Sequence, residues 1–199
     1  MILLKDHTIL IYVGGLIAAA LLAGAYIRKK KLEAKDRACD EVDGGVRHYY
    51  DEGAPKSIDS HVITCFSCEG KYTLTDELGN ENAIRYVAHA KLEGETVLCT
   101  YKMFDRFGYS ENLKFMSDGA IMKDLYKLFA KHNLAQYNGI SYTVSGLPEG
   151  YGAEIGIDFE SGEHVYSHNN QSCFLSDEFG VELGDVMRKH SKSADGILA

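Results

Sequence analysis

Proline is scarce in this chain of 199 residues, present only as Pro55 and Pro148. With hydrophobic residues at 45% and charged residues at 25%, the composition is that of a folded protein and argues against a long disordered stretch. A disulfide framework is also missing. Cys39, Cys65, Cys68, Cys99 and Cys173 are odd in number and follow no framework spacing, as expected of thiols in a reducing compartment, although two bridges and one free thiol would satisfy the same count. The sequence has no internal repeat, low-complexity tract, Walker A loop, Gly-x-Gly-x-x-Gly after a strand, Gly-x-Ser-x-Gly elbow or EF-hand loop. Those absences remove the signatures of nucleotide-binding, serine-hydrolase and calcium-sensor chemistry. No cofactor and no resident metal are expected.

Positive charge is short everywhere except near the N-terminus. Residues 36–199 hold 15 of the 21 basic side chains and 27 of the 29 acidic ones, a balance of −12. A surface with that excess repels phosphate backbones, so nucleic acid is not an expected partner.

What is abundant, and in one place, is uncharged apolar sequence. Residues 8–27 read TILIYVGGLIAAALLAGAYI, and 20 residues at ~1.5 Å each span the ~30 Å hydrocarbon core of a bilayer. The segment has no polar face, so it reads as a transmembrane anchor. The competing reading is a cleaved signal peptide, with Ala23-Gly24-Ala25 as the cleavage site. Against it stand the length of the run and the positive block after it, Arg28-Lys29-Lys30-Lys31. By the positive-inside rule that block places the rest of the chain in the cytoplasm of a single-pass protein; the alternative is an extracellular domain. Gly14 and Ala18, Gly15 and Ala19, and Ala20 and Gly24 have the small-xxx-small spacing that lets two helices approach, one route to a homodimer.

Behind the anchor the sequence divides into a basic juxtamembrane stretch and linker (28–59), an α+β domain (60–190) and a flexible tail (191–199). The expected architecture is an antiparallel or mixed sheet of five to six strands with two main helices on one face. Residues 61–67 are β-branched and aromatic and read as a strand, with 71–75 as its partner. A hairpin about a Glu93-Gly94 turn sets Leu92 opposite Glu95, Ala90 opposite Val97, Ala88 opposite Cys99 and Tyr86 opposite Tyr101. Ser117 or Asp118 caps a helix to His132 with Ile121, Leu125, Leu128 and Phe129 on one stripe. Residues 140–144 form a strand after Asn138-Gly139. A second hairpin over 154–168 pairs Phe159 with His164, Ile157 with Tyr166 and Ile155 with His168. Ser176 starts the last helix, which buries Phe179, Leu183, Val186 and Met187.

Candidate chemistry is thin. Cys65-Phe-Ser-Cys68 with His61 resembles half of a zinc or redox site, yet lacks a second close pair and sits in a strand, where small apolar side chains pack. His164 and His168 have zinc spacing on a helix; on a strand they lie ~13 Å apart, too far to share an ion. Asp158, Glu160 and Glu163 at a hairpin tip are ordinary acidic surface. No catalytic residue is assigned. The 13 tyrosines and the polar loops direct attention to a binding surface, with Tyr137, Tyr151, His164, Tyr166, His168, Asn169 and Asn170 as its candidates. The functional expectation is a membrane-anchored, non-catalytic binding or interaction module whose partner is another protein or a second copy. The alternative is a membrane-tethered thiol- or metal-dependent hydrolase.

Overall fold

The computed structural model describes residues 46–75, 79–105, 108–145 and 151–195. The anchor, its flank Arg28 to Lys31 and Cys39 lie outside the described residues. Among the described residues no helix is long and apolar enough to cross a membrane.

Eight strands form one mixed, mainly antiparallel sheet, in place of the five or six expected: β1 (Val46–Tyr50), β2 (Ile63–Thr75), β3 (Glu81–Glu93), β4 (Thr96–Asp105), β5 (Gly108–Ser117), β6 (Ile140–Val144), β7 (Ala153–Phe159) and β8 (His164–Asn169). Their spatial order is β1-β6-β8-β7-β2-β3-β4-β5. The chain lays down β2 to β5 as a meander and then crosses over by helix α1 (Ala120–Lys131) and a 3-10 turn (Leu134–Tyr137). It then inserts the β7–β8 hairpin between β6 and β2. β6 runs parallel to β8; the other registered pairs are antiparallel. Helix α2 (Asp177–Asp195) closes the fold, running through residues expected to be a flexible tail. At the other end, β1 lies in sequence read as linker.

Period-2 burial makes this a one-sided sheet. Phe66, Cys68 and Tyr72 of β2, Ile84, Tyr86, Ala88 and Ala90 of β3, Val97, Cys99 and Tyr101 of β4, and Ile155, Ile157 and Phe159 of β7 all face the helices. There they meet Ile121, Leu125, Leu128 and Phe129 of α1 and Phe179, Leu183 and Met187 of α2. The sequence-based stripes are correct for both helices, except that Val186 is only partly buried. The α2 cap follows expectation, whereas the N-cap of α1 is Gly119 in place of Ser117 or Asp118. Asp118 Oδ1 accepts from the Ala120 N–H at 3.0 Å, and Ser176 Oγ accepts from the Phe179 N–H at 3.2 Å. α2 comes close to the sheet because it presents glycine there: a Cβ on Gly180 would stand 2.6 Å from the Tyr72 ring and 2.9 Å from the Tyr86 ring.

Three strand expectations need correction. Residues 61–67 and 71–75 are not partners but parts of one continuous strand, β2, because no turn residue separates them that the chain uses to reverse. In the first hairpin the turn is Gly94-Glu95, with Gly94 at φ +66°, as the first position of a type II′ turn requires. Leu92 therefore pairs with Val97, Ala90 with Cys99 and Ala88 with Tyr101, a shift of two residues that keeps every side chain on its expected face. The second hairpin slips by one residue, and that changes faces. Its loop has three residues instead of two: Gly162 N–H donates to Phe159 O at 3.0 Å and Phe159 N–H to Glu163 O at 3.0 Å. Ile157 then pairs with Val165 and Ile155 with Ser167 on the core face, while His164, Tyr166 and His168 turn to the other side with Asp158, Gly156 and Glu154.

Candidate functional site

No described helix packs on the second face of the sheet, and the register fixes its layout. One row across the strands reads His164, Asp158, Cys65, Lys91, Leu98, Met116; the next Tyr166, Gly156, Ser67, His89, Thr100, Lys114; the third His168, Glu154, Glu69, Val87, Lys102, Asn112. Met116, Tyr166 and Leu98 are 60%, 46% and 41% exposed there. The face is electrically divided. β3 to β5 bring Arg85, Lys91, Lys102 and Lys114 against Glu81 and Glu93, whereas β2 and β7 bring Glu69, Glu154 and Asp158 against Lys71, so the division is one of balance, +2 on one side and −2 on the other. Arg85 donates to Glu69 at 2.8 Å and Lys91 to Glu93 at 3.0 Å.

Of the residues singled out from sequence, four gather on or beside this face. His164, Tyr166 and His168 lie along β8, and His168 Nδ1 lies 3.1 Å from Glu154 Oε2. Burial, and after it the Glu154 charge, pushes the Tyr166 hydroxyl above its ordinary pKa. Tyr151 stacks with Lys71, whose Nζ sits 4.6 Å from the ring centroid. The other three are occupied differently. Tyr137 packs against Phe174 with centroids 4.8 Å apart. Asn169 Oδ1 accepts the Gln171 and Ser172 N–H groups, and Asn170 clamps Val144 through both its N–H and its C=O. Asn138, part of the Asn-Gly turn before β6, is 2% exposed and serves the fold: Nδ2 donates to Pro55 O and His164 O, and Oδ1 accepts from the Tyr166 N–H.

The thiol and metal groups stay apart. Cys65 is on the open face, Cys68 points into the core, and His61 pairs with Tyr126. Burial raises the Cys65 and Cys68 thiol pKa values and lifts Cys99 to about 12, so none of these three is poised as a thiolate. Among the described residues no group of three or more His, Cys, Asp or Glu side chains could hold a metal ion.

One constellation lies elsewhere and was not visible in sequence. At the end of β5, Ser117 Oγ is 3.4 Å from His190 Nδ1, and His190 Nε2 is 3.1 Å from Asp124 Oδ2. Asp124 also accepts from Lys127 and Lys189, each at 2.7 Å. Those hydrogen bonds, Lys127 first and Lys189 next, hold its carboxyl well below the usual carboxylate range. The three residues come from β5, α1 and α2, and their spacing of 7 and 66 positions matches no local motif. Comparison of the chain with protein-family models, with curated proteins and with solved structures finds no match.

Proposed function

We propose that this chain is a membrane-anchored binding module that works through the open face of its sheet, and that a second copy of the chain is the occupant of that face. The membrane part of the reading rests on residues 8–31 of the sequence alone. The observation that supports the contact surface is the division of charge across an amphipathic face that no described helix covers. A two-fold axis running parallel to the strands between β2 and β3 lays β7 of one copy over β4 of the other. Glu154 of one copy then meets Lys102 of the other in the third row, Tyr166 meets Lys114, and Gly156, lacking a side chain, leaves room for Thr100. Six strands at ~4.8 Å and about six residues at ~3.3 Å give a footprint of roughly 600 Å² per copy, or about 1,200 Å² in total, at the lower end for a specific interface.

Charge swapping tests this directly. In the full chain, solubilised in mild detergent, Glu154→Lys and Lys102→Glu should each abolish self-association in sedimentation runs, and the double variant should restore it. Carbodiimide should join Glu154 of one copy to Lys102 of another. Single variants that associate as tightly as the parent protein, or a parent protein monomeric throughout, would sink the self-pairing.

A further inference from the structure

We infer that Ser117 is a nucleophile and that Ser117, His190 and Asp124 form an acyl-transfer site for carboxylic esters, separate from the open face. Its parts come from three elements and supply the nucleophile-to-base and base-to-carboxylate contacts of such a site. Ser117 is the last residue of β5 and is separated from α1 by two residues, on a strand-to-helix turn. Its side chain points to the helix side, because its partner Val97 is a core residue. His190 is 7% exposed and fixed by two neighbours. Asp124 stays ionised, so Nε2 carries the proton and donates to the carboxylate, and Nδ1 keeps a lone pair to accept the Ser117 O–H. At 3.4 Å the pair is longer than a formed catalytic hydrogen bond, and in the proposed reaction it tightens when substrate arrives.

Two further features bear on access and charge. Ser117 is partly exposed, and a Cβ on Gly119 would meet nothing within 4 Å beyond its own chain neighbours, so the turn that follows the nucleophile is open. The first turn of α1 starts at the same place, with Gly119 making no side-chain cap. Its backbone N–H groups have no partner inside the helix, and the Asp118 carboxylate takes that of Ala120.

The reaction is hydrolysis of an ester to an acid and an alcohol. Ser117 Oγ bonds to the ester carbonyl carbon as its proton passes to His190 Nδ1, and the carbonyl electron pair moves onto oxygen. When that pair returns, the bond to the alkoxide breaks, and the alkoxide leaves with the proton from His190. Water then attacks the acyl-Ser117, giving its proton to Nδ1; the acid departs and Ser117 recovers its hydrogen. Asp124 is a positioning residue. Because Lys127 and Lys189 share its charge, it supports the imidazolium less than an unshared carboxylate would, and the activity should be slow.

The test is labelling of the full chain in mild detergent by an alkyl fluorophosphonate, with the site read by peptide mass spectrometry. A Ser117 Oγ–phosphorus bond forms, fluoride leaves, and His190 takes the proton. The expected result is an adduct at Ser117, absent in Ser117→Ala and at least tenfold slower in His190→Gln, with thermal melts confirming that both variants fold. Should His190→Gln not fold, the parent protein's labelling rate, which should fall on acidification, serves in its place. Asp124→Asn should slow labelling and Asp124→Glu should restore part of the rate, a rescue that a purely structural role would not produce. No adduct at Ser117, a rate equal to that of other surface serines, or a rate independent of pH would overturn the assignment. None of these outcomes depends on self-association, since Glu154 and Lys102 lie on the opposite side of the sheet.

Discussion

Asn138 shows how a residue read as a surface feature can be a structural joint. Its side chain makes three hydrogen bonds, at 3.0, 3.0 and 2.9 Å, to Pro55, His164 and Tyr166, and its own carbonyl accepts from Lys56. Removing such a group leaves buried partners with neither protein nor water, which costs more than the net value of the bonds themselves. Asn138→Ala should therefore destabilise the domain by about 2–4 kcal/mol, measured as a fall in the urea midpoint at unchanged slope. Ser117 makes the converse point. Read as a helix cap, it leaves that position to Gly119 and turns its hydroxyl toward His190 instead.

Among the elements, α1 and α2 are tied to each other at both ends. Asp124 joins Lys127, Lys189 and His190 at one end; Lys131 and His132 of one helix meet Glu178 and Glu182 of the other at the second. The second cluster is largely exposed and contributes little, ~0–1 kcal/mol per pair. Asp124 is better shielded, and its pH dependence has a definite sign. Its pKa is lowered in the folded state, so its contribution is complete above the unfolded value near ~4 and disappears as pH falls from there through the lowered folded value. Melting temperature should thus drop on acidification below about pH 4, and Asp124→Asn should flatten that part of the profile. An equally steep acid limb in the variant would place the effect on other carboxylates.

For the molecule as a whole, the thiols report on which face is covered. Cys68 and Cys99 are buried behind the sheet with raised pKa values, so alkylating reagents at neutral pH should spare them until the protein unfolds. Cys65 faces the open side, beside Lys91 and next to the axis of the inferred pairing. Its alkylation should slow as protein concentration rises and recover in high salt, which screens the charges that align the two copies. A rate independent of concentration would mean that Cys65 stays uncovered.

Local signals were legible where one element carries them. The apolar stripes of α1 and α2, the Ser176 cap, the strand at 140–144 and both faces of the β3–β4 hairpin follow from local pattern, the last because a two-residue error in register preserves the pleat. Three things did not follow. β5 alternates only weakly, as an edge strand whose inner residues are half-buried. The β7–β8 register depended on whether the turn used two residues or three, and one residue decides which side His164, Tyr166 and His168 face. The alignment of Ser117, Asp124 and His190 needed α2 folded back across β5. Sequence by itself determined the helices, most of the strands, the acidic balance and the apolar N-terminal run, since these depend on neighbours a few residues apart. Only the tertiary structure decided the eight-strand order, the open and divided face, and the Ser117–His190–Asp124 contact, because each is made by residues that become neighbours through the crossing of the chain.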